Sequence, residues 1–160
     1  MQISKIYAGI VTFNPEITRL KQNIDAISPQ LKEVVLFDNG SQNIQQIKKL
    51  LEKYHNVYLI EGHKNKGIAA ALNALMKWGC DKEYQWMLSL DQDSVCQEDF
   101  VKEMSKYLTI EKRLGIVAPV IKDRNIGIVG HNPVKNPTCK YMYNIRGIFK
   151  LKSMEANWWI

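Results

Sequence analysis

The chain has 160 residues, of which 46% are hydrophobic and 24% charged, a composition typical of one globular domain with a substantial core. No apolar run approaches the ~20 residues that span a bilayer. The three cysteines form no CxxC pair, which argues against both disulfides and a zinc site.

The net charge of +6 is concentrated in residues 122–160, which contain seven Lys and Arg against two acids. This stretch could face solvent, meet a phosphorylated substrate or touch an anionic membrane surface. The basic residues match no nucleic-acid motif, so we expect no nucleic-acid partner. We expect a cytoplasmic location, with contact at the inner face of the membrane left open.

Short apolar runs alternate with amphipathic segments along the first 121 residues. Strands are predicted over five apolar runs: Ile6–Phe13, Glu33–Phe37, Val57–Ile60, Trp86–Leu90 and Gly115–Ile121. A helix is predicted after each of the first four strands. The first is capped by Asn14 with Pro15 at its first position, and the second is capped by Ser41. The third runs from Ile68 to Trp78 and ends at Gly79, and the fourth covers Glu98–Leu108. This alternation predicts an α/β fold with a mainly parallel sheet flanked by helices.

Polar clusters lie at or just beyond the ends of four predicted strands: Thr12–Asn14, Asp38–Ser41, Asn65–Gly67 and Asp91–Ser94. In open α/β sheets the ligand lies beyond the carboxyl ends of the strands. The sequence therefore predicts that the four clusters converge on one edge of the sheet.

The segment that begins at Trp86 ends in two aspartates, Asp91 and Asp93. In an extended chain both carboxylates point to one side while Gln92 points away, and they repel unless a cation lies nearby. Mg²⁺ binds one or two carboxylates together with phosphate oxygens, and Ser94 supplies another oxygen. The pattern favours a metal site for a phosphate ester over two acids that only cap a helix or bond loop amides.

Two further segments could contact a nucleotide. Asp38 could accept a hydrogen bond from a base N–H or a ribose hydroxyl, although Asp38-Asn39-Gly40 is also an ordinary turn sequence. The segment His63–Gly67 precedes a predicted helix, and helix amides beside lysines suit a phosphate. The chain contains neither GxxxxGKS/T nor GxGxxG, so neither a P-loop nor a nicotinamide dinucleotide site is indicated.

Four segments together resemble the inverting family 2 glycosyltransferases, and most of all their bacterial rhamnosyltransferases: Ile10-Val-Thr-Phe-Asn-Pro15, Leu36-Phe-Asp-Asn-Gly-Ser41, Asn65-Lys-Gly-Ile-Ala-Ala-Ala-Leu-Asn73 and Leu90-Asp-Gln-Asp-Ser94. The resemblance implies a GT-A fold, a dTDP- or UDP-sugar donor with dTDP-rhamnose favoured, and Mg²⁺ or Mn²⁺. It also implies a saccharide or lipid-linked saccharide acceptor, as in the synthesis of cell-surface polysaccharide.

The resemblance implies roles for individual residues as well. Thr12 and Asn14 would line the nucleotide pocket, and Asp38 would contact the base. The nucleotide and its diphosphate would lie against Asn65 and Gly67, and Asp91 would approach the ribose. Asp93, with Asp91 beside it, would ligate the metal. The metal would then neutralise charge on the departing nucleoside diphosphate.

Residues 1–121 are predicted to form the donor-binding core, and residues 122–160 the incomplete start of an acceptor-side region. An inverting transferase needs a general base for the acceptor hydroxyl. In this family that acid lies beyond a segment resembling Glu155–Ile160. We therefore expect the base beyond Ile160, do not assign it to Glu155, and expect this chain to bind donor with little or no transferase activity.

Three other functions fit parts of the pattern. Asp91-Gln-Asp-Ser-Val95 partly fits the motif of haloacid-dehalogenase-like phosphatases, with Asp91 as nucleophile and Asp93 as acid/base. That motif normally follows the first strand, however, and here it follows the fourth. A nucleotidyltransferase would need a Gly-rich N-terminal loop that the chain lacks. A non-catalytic nucleotide-sugar-binding protein stays open because the acceptor-side region is incomplete.

Overall fold

The computed structural model describes residues 3–108, 116–119, 121–123, 127–129 and 147–150. The strands in these ranges are β1 (Ile6–Thr12), β2 (Val34–Asp38), β3 (Val57–Glu61), β4 (Trp86–Asp91), β5 (Ile116–Val117), β6 (Ile121–Asp123), β7 (Gly127–Val129) and β8 (Gly147–Lys150). Six of them form one sheet in the order β3-β2-β1-β4-β8-β5, with β1 to β4 parallel and β8 antiparallel to both its neighbours. Strands β6 and β7 form a separate antiparallel pair. The predicted α/β class with a mainly parallel sheet is confirmed.

The α-helices in the described part of the chain are α1 (Ile17–Ile27), α2 (Ile44–Leu51), α3 (Ile68–Asp81) and α4 (Phe100–Ser105). Helix α4 is shorter than predicted because three-residue turns replace helical hydrogen bonds at both ends, from Phe100 N to the Gln97 carbonyl and from Tyr107 N to the Met104 carbonyl.

The predicted strand Gly115–Ile121 is divided between β5 and β6. Pro119 separates the two, because proline has no N–H to donate to a ladder.

The sheet is covered on both faces, which explains the continuous apolar run of β1. Ile6, Ala8 and Ile10 face the larger core, whose helical members come from α1, α2 and α4. Tyr7 faces the other way and packs with Leu75 of α3 in a second core. All five of these side chains are fully buried. Two cores thus hold the parallel strands rigidly, and their carboxyl ends with them.

Helix α1 begins later than predicted, because Glu16 and not Asn14 is its N-cap. The Glu16 carboxylate accepts hydrogen bonds from Thr18 N at 2.8 Å and Arg19 N at 2.9 Å. These bonds hold the pKa of Glu16 below its usual range. Asn14 instead has a φ of 46° in the loop before the helix.

Helix α2 is not capped by Ser41, contrary to the prediction. The helix begins at Ile44 after Asn43, whose side chain makes no capping hydrogen bond. The Ser41 hydroxyl is occupied elsewhere, since Ser41 Oγ accepts a hydrogen bond from Asn14 N at 2.8 Å. The residue therefore joins two loops and does not begin a helix.

Gly79 lies inside α3 and does not end it, which corrects the prediction. The helix continues to Asp81, and Gly79 is buried against Tyr7 of β1. A Cβ at residue 79 would lie 2.6 Å from Tyr7 Cζ and Oη, closer than real contacts allow. The Tyr7 hydroxyl donates to the Leu75 carbonyl at 2.7 Å, which fixes the ring beneath the helix.

No helix among the described residues is long and apolar enough to cross a membrane. Most of residues 122–160 falls outside the described ranges, so membrane contact and a domain boundary at residue 121 stay predictions. Within that stretch β8 pairs with β4 and is part of the main sheet.

Candidate functional site

The carboxyl ends of the four parallel strands lie at one edge of the sheet, as predicted. In the strand register Thr12 of β1 is opposite Asp38 of β2, and Asp38 is opposite Glu61 of β3. Val11 of β1 is opposite Asp91 of β4. The polar residues that follow these strands therefore share one edge, and hydrogen bonds join their loops.

Asp38 and Thr12 form the buried floor of this edge. Asp38 is 2% exposed, and its Oδ2 accepts hydrogen bonds from Gly40 N at 3.1 Å and Ser41 N at 3.0 Å. Thr12 is fully buried, and its hydroxyl lies 3.4 Å from Asp38 Oδ1. The carboxylate thus shapes the turn after β2, and its contact with a base stays a prediction.

Asn14 joins the loop after β1 to the loop after β2. Its backbone N–H donates to Ser41 Oγ, and its Oδ1 accepts from Gln42 N at 2.8 Å. This pair of bonds accounts for the φ of 46° at Asn14, since asparagine tolerates the left-handed region better than most residues. Asn14 is exposed, so one side of it faces solvent at the sheet edge.

Asn39 joins the loop after β2 to the loop before α3, a contact that its local sequence does not indicate. It is 4% exposed, its Nδ2 donates to Asn65 Oδ1 at 3.0 Å, and its Oδ1 accepts from Lys66 N at 3.0 Å. Asn65 Oδ1 also accepts from Gly67 N at 2.8 Å. Asn39 therefore sets the shape of the loop before α3, whereas its place in Asp-Asn-Gly had indicated only a turn former.

Gly67 leaves open space at the start of α3. It has a φ of 84°, no side chain caps the helix, and a Cβ at residue 67 would meet no atom within 4 Å. Lys64 and Lys66 beside it are exposed. Uncapped amides next to lysines form a favourable environment for a phosphate group.

Two glycines on these loops provide a matched test of how closely the loops pack. Gly40 and Gly67 have nearly equal φ values of 86° and 84°, but a Cβ at residue 40 would lie 2.9 Å from Asn65 N and the Lys64 backbone. We expect Gly40→Ala to lower the free energy of unfolding by about 2 kcal/mol, and Gly67→Ala by about 1 kcal/mol, the backbone cost alone. Urea denaturation measures both. Equal losses would show that the loops are not in close contact.

Asp91 is the last residue of β4, and the chain turns immediately after it. Ser94 N donates to the Asp91 carbonyl at 3.3 Å, so Asp93 lies on the turn and the alternation expected of an extended chain does not reach it. Gln92 lies on the same turn, and its Oε1 accepts a hydrogen bond from Phe13 N at 2.9 Å. Asp91 is half-buried and Asp93 is exposed.

The oxygen atoms at this turn suit a hard divalent cation whose coordination is completed by oxygens of a bound ligand. Among the described residues no group of three or more His, Cys, Asp and Glu could hold a metal ion, so these residues offer at most a pair of carboxylates here. Ser94 Oγ is buried without a hydrogen-bond partner in the described part of the chain. Burial raises the pKa of the nearby Cys96 thiol to about 11, so no thiolate competes at neutral pH. An all-oxygen set completed by phosphate oxygens suits Mg²⁺ or Mn²⁺.

Solved structures share this architecture. The chain matches S. aureus TarS 1–349 with a TM-score of 0.64 at 18% identity, over 91% of this chain and 47% of that one. It matches 4-diphosphocytidyl-2C-methyl-D-erythritol synthase from Anaerococcus prevotii with a TM-score of 0.61 at 19% identity, over 92% and 70%. It matches glucosyl-3-phosphoglycerate synthase from Mycobacterium tuberculosis with a TM-score of 0.55 at 18% identity, over 71% and 42%. At these identities the likeness shows the fold alone, which is the expected GT-A fold.

Residues 7–157 match the family model described as glycosyl transferase family 2, and the chain belongs to this family. Over 126 residues the chain is 36% identical to the dTDP-rhamnosyl transferase RfbF of Shigella flexneri, which covers 76% of this chain and 40% of that protein. The chain therefore spans less than half the length of this relative. The family resemblance is confirmed, and the phosphatase alternative receives no support.

Proposed function

We propose that the chain forms the donor-binding part of an inverting glycosyltransferase that transfers rhamnose from dTDP-rhamnose. The 36% identity to a protein named a dTDP-rhamnosyl transferase supports this donor. A UDP-sugar is the alternative donor, because an aspartate such as Asp38 could accept from the imide N–H of either base. The acceptor in this proposal is a saccharide or a lipid-linked saccharide.

One observation carries the proposal: the Asp91–Ser94 turn and the Asn65–Gly67 loop lie at the same carboxyl edge of the parallel sheet. An edge of this kind is where α/β proteins bind nucleotides. Here it combines exposed carboxylate, open helix amides and lysines, which are groups suited to a metal and a diphosphate.

We assign the nucleotide contacts according to exposure. Asn14, Asn65 and Gly67 are exposed at the edge and would contact the nucleotide directly, with the diphosphate at Gly67. Asp38 is 2% exposed at the floor of this edge, and it would accept a hydrogen bond from the base there. Thr12 is fully buried, so it would act by holding Asp38.

Asp93 and Asp91 would hold Mg²⁺ or Mn²⁺ together with the donor diphosphate, and Asp91 would also approach the ribose. A bound divalent cation would supply Lewis-acid stabilisation of negative charge on the departing nucleoside diphosphate. The structure of glucosyl-3-phosphoglycerate synthase contains Mn²⁺ and UDP, which supports metal use in a protein of this fold.

The general base for the acceptor hydroxyl is not assigned to any described residue. Glu155 lies outside the described ranges, and the chain spans only 40% of its rhamnosyl transferase relative. The proposal is therefore that this chain binds donor nucleotide and has little or no transferase activity alone. Robust acceptor-dependent turnover by the 160-residue chain would contradict this part.

Calorimetric titration of the chain with dTDP and with UDP, each with and without Mn²⁺ or Mg²⁺, tests the proposal. We expect both the metal and the nucleotide to contact the Asp91–Ser94 turn, so that Mn²⁺ raises the affinity for dTDP roughly 30- to 150-fold, in the upper range of ordinary coupling between ligands. Tighter binding of UDP than of dTDP would favour the UDP-sugar alternative. Binding of neither nucleotide would contradict a donor site in this chain.

A further inference from the structure

A buried asparagine interrupts the apolar face of α1. Asn23 is fully buried, like Leu20, Ile24 and Ile27 on the same helix. Its Oδ1 has no hydrogen-bond partner among the described residues. A buried amide with one unsatisfied group destabilises the fold relative to an apolar side chain, so its presence here needs another explanation.

The other half of this amide holds the end of β4. Asn23 Nδ2 donates to the Asp91 carbonyl at 2.6 Å, across 68 residues of sequence. Ser94 N donates to the same carbonyl at 3.3 Å. One oxygen thus anchors both the helix and the turn, at the residue where the strand ends and the turn to Asp93 begins.

Neighbouring groups hold the next two residues of this turn. Arg19, one helical turn before Asn23 on α1, donates from Nη2 to the Asp93 carbonyl at 3.2 Å. Phe13 N donates to Gln92 Oε1 at 2.9 Å. Helix α1 and the loop before it therefore hold the turn through two backbone carbonyls and the Gln92 side chain. Of the three contacts, the Asn23 contact is the one made by a fully buried side chain.

We propose that Asn23 is a positioning residue that sets the angle of the Asp91–Ser94 turn and so presents Asp91 and Asp93 to a divalent cation. The inference rests on the proposed function, because it concerns the metal-dependent part of nucleotide binding. Groups that orient metal ligands through hydrogen bonds commonly affect affinity almost as much as the ligands do. Asn23 touches neither metal nor nucleotide in this proposal, and acts through the Asp91 carbonyl.

The test compares Asn23→Ala with Asn56→Ala in calorimetric titrations of the full chain with dTDP, with and without Mn²⁺. Asn56 is a matched control because its Nδ2 also donates to backbone carbonyls, those of Ser28 and Leu31, at 2.9 and 3.1 Å. It lies at the amino end of β3, away from the carboxyl ends of the strands. Asn23→Ser is measured beside Asn23→Ala, because a hydroxyl retains a donor in a smaller side chain. Thermal denaturation confirms that each variant is folded.

We expect Asn23→Ala to weaken dTDP binding about tenfold when Mn²⁺ is present and to leave metal-free binding unchanged. Asn23→Ser is expected to lose less affinity, and Asn56→Ala to lower only the melting temperature. Folded Asn23 variants with the wild-type response to Mn²⁺ would overturn the inference and make Asn23 a purely structural residue. If Mn²⁺ does not change the dTDP affinity of the wild-type chain, the metal part of the proposed function is overturned, and this inference with it.

Discussion

Asp93→Ala is expected to remove the whole gain in dTDP affinity that Mn²⁺ provides, roughly 30- to 150-fold, and to leave metal-free binding intact. The reason is the shape of the turn after β4. Asp93 is exposed beyond the strand end while Asp91 is half-buried, so we expect a metal–nucleotide complex to reach Asp93 first. Calorimetric titration with and without Mn²⁺ separates the two contributions.

Asp99→Ala is the control for this experiment, because Asp99 is also an exposed acid close in sequence. Its nearest basic partner, Lys102, is 4.0 Å away, and its side chain does not cap α4. Removing this charge should leave the response to Mn²⁺ unchanged. If Asp93→Ala and Asp99→Ala reduce the response equally, the effect is one of net charge and Asp93 is not a ligand.

Gly79→Ala is expected to lower the free energy of unfolding by about 3 kcal/mol, because the new methyl group would overlap the ring of Tyr7. Alanine improves the intrinsic helix propensity by about 1 kcal/mol, so an unpacked helix would be stabilised by the same change. The sign of the effect therefore reports whether α3 packs on β1 as described. Urea denaturation gives the value directly.

Two further variants isolate the cause. Cys80→Ala changes the next residue of α3, which is exposed, and should stay within about 0.5 kcal/mol of wild type. Combining Gly79→Ala with Tyr7→Leu removes the ring that the methyl group meets, so the losses should be far from additive. Strict additivity would contradict direct contact between Gly79 and Tyr7.

The parallel strands could be predicted because burial on both faces produces an uninterrupted apolar run, as in Ile6–Thr12. The beginning of α1 could not, since Asn14-Pro15 has the local pattern of an N-cap followed by the first helical residue. Contact with Ser41 and Gln42 in another loop holds Asn14 outside the helix. Gly79 shows the same limit, because glycine after an amphipathic run indicates a helix end unless a bulky ring lies beneath it.

The convergence of the candidate site residues on one edge of the sheet could also be predicted, since parallel strands place their carboxyl ends together. The residues that join the loops could not. Asn39 meets Asn65, and Asn23 meets the Asp91 carbonyl, each across a long separation in sequence. Such contacts follow from the packed fold and leave no local signal in the sequence.

The pairing of β8 with β4 has a consequence for the order in which the chain folds. Trp86 to Ser89 of β4 are hydrogen-bonded on one side by residues 147–150, which are synthesised much later. Until β8 is synthesised, β4 is the outermost strand of the nascent sheet, and its side that will face β8 lacks hydrogen-bond partners. Such an edge can recruit strands from other chains, so we infer that the nascent protein is most prone to aggregate between the emergence of β4 and that of β8.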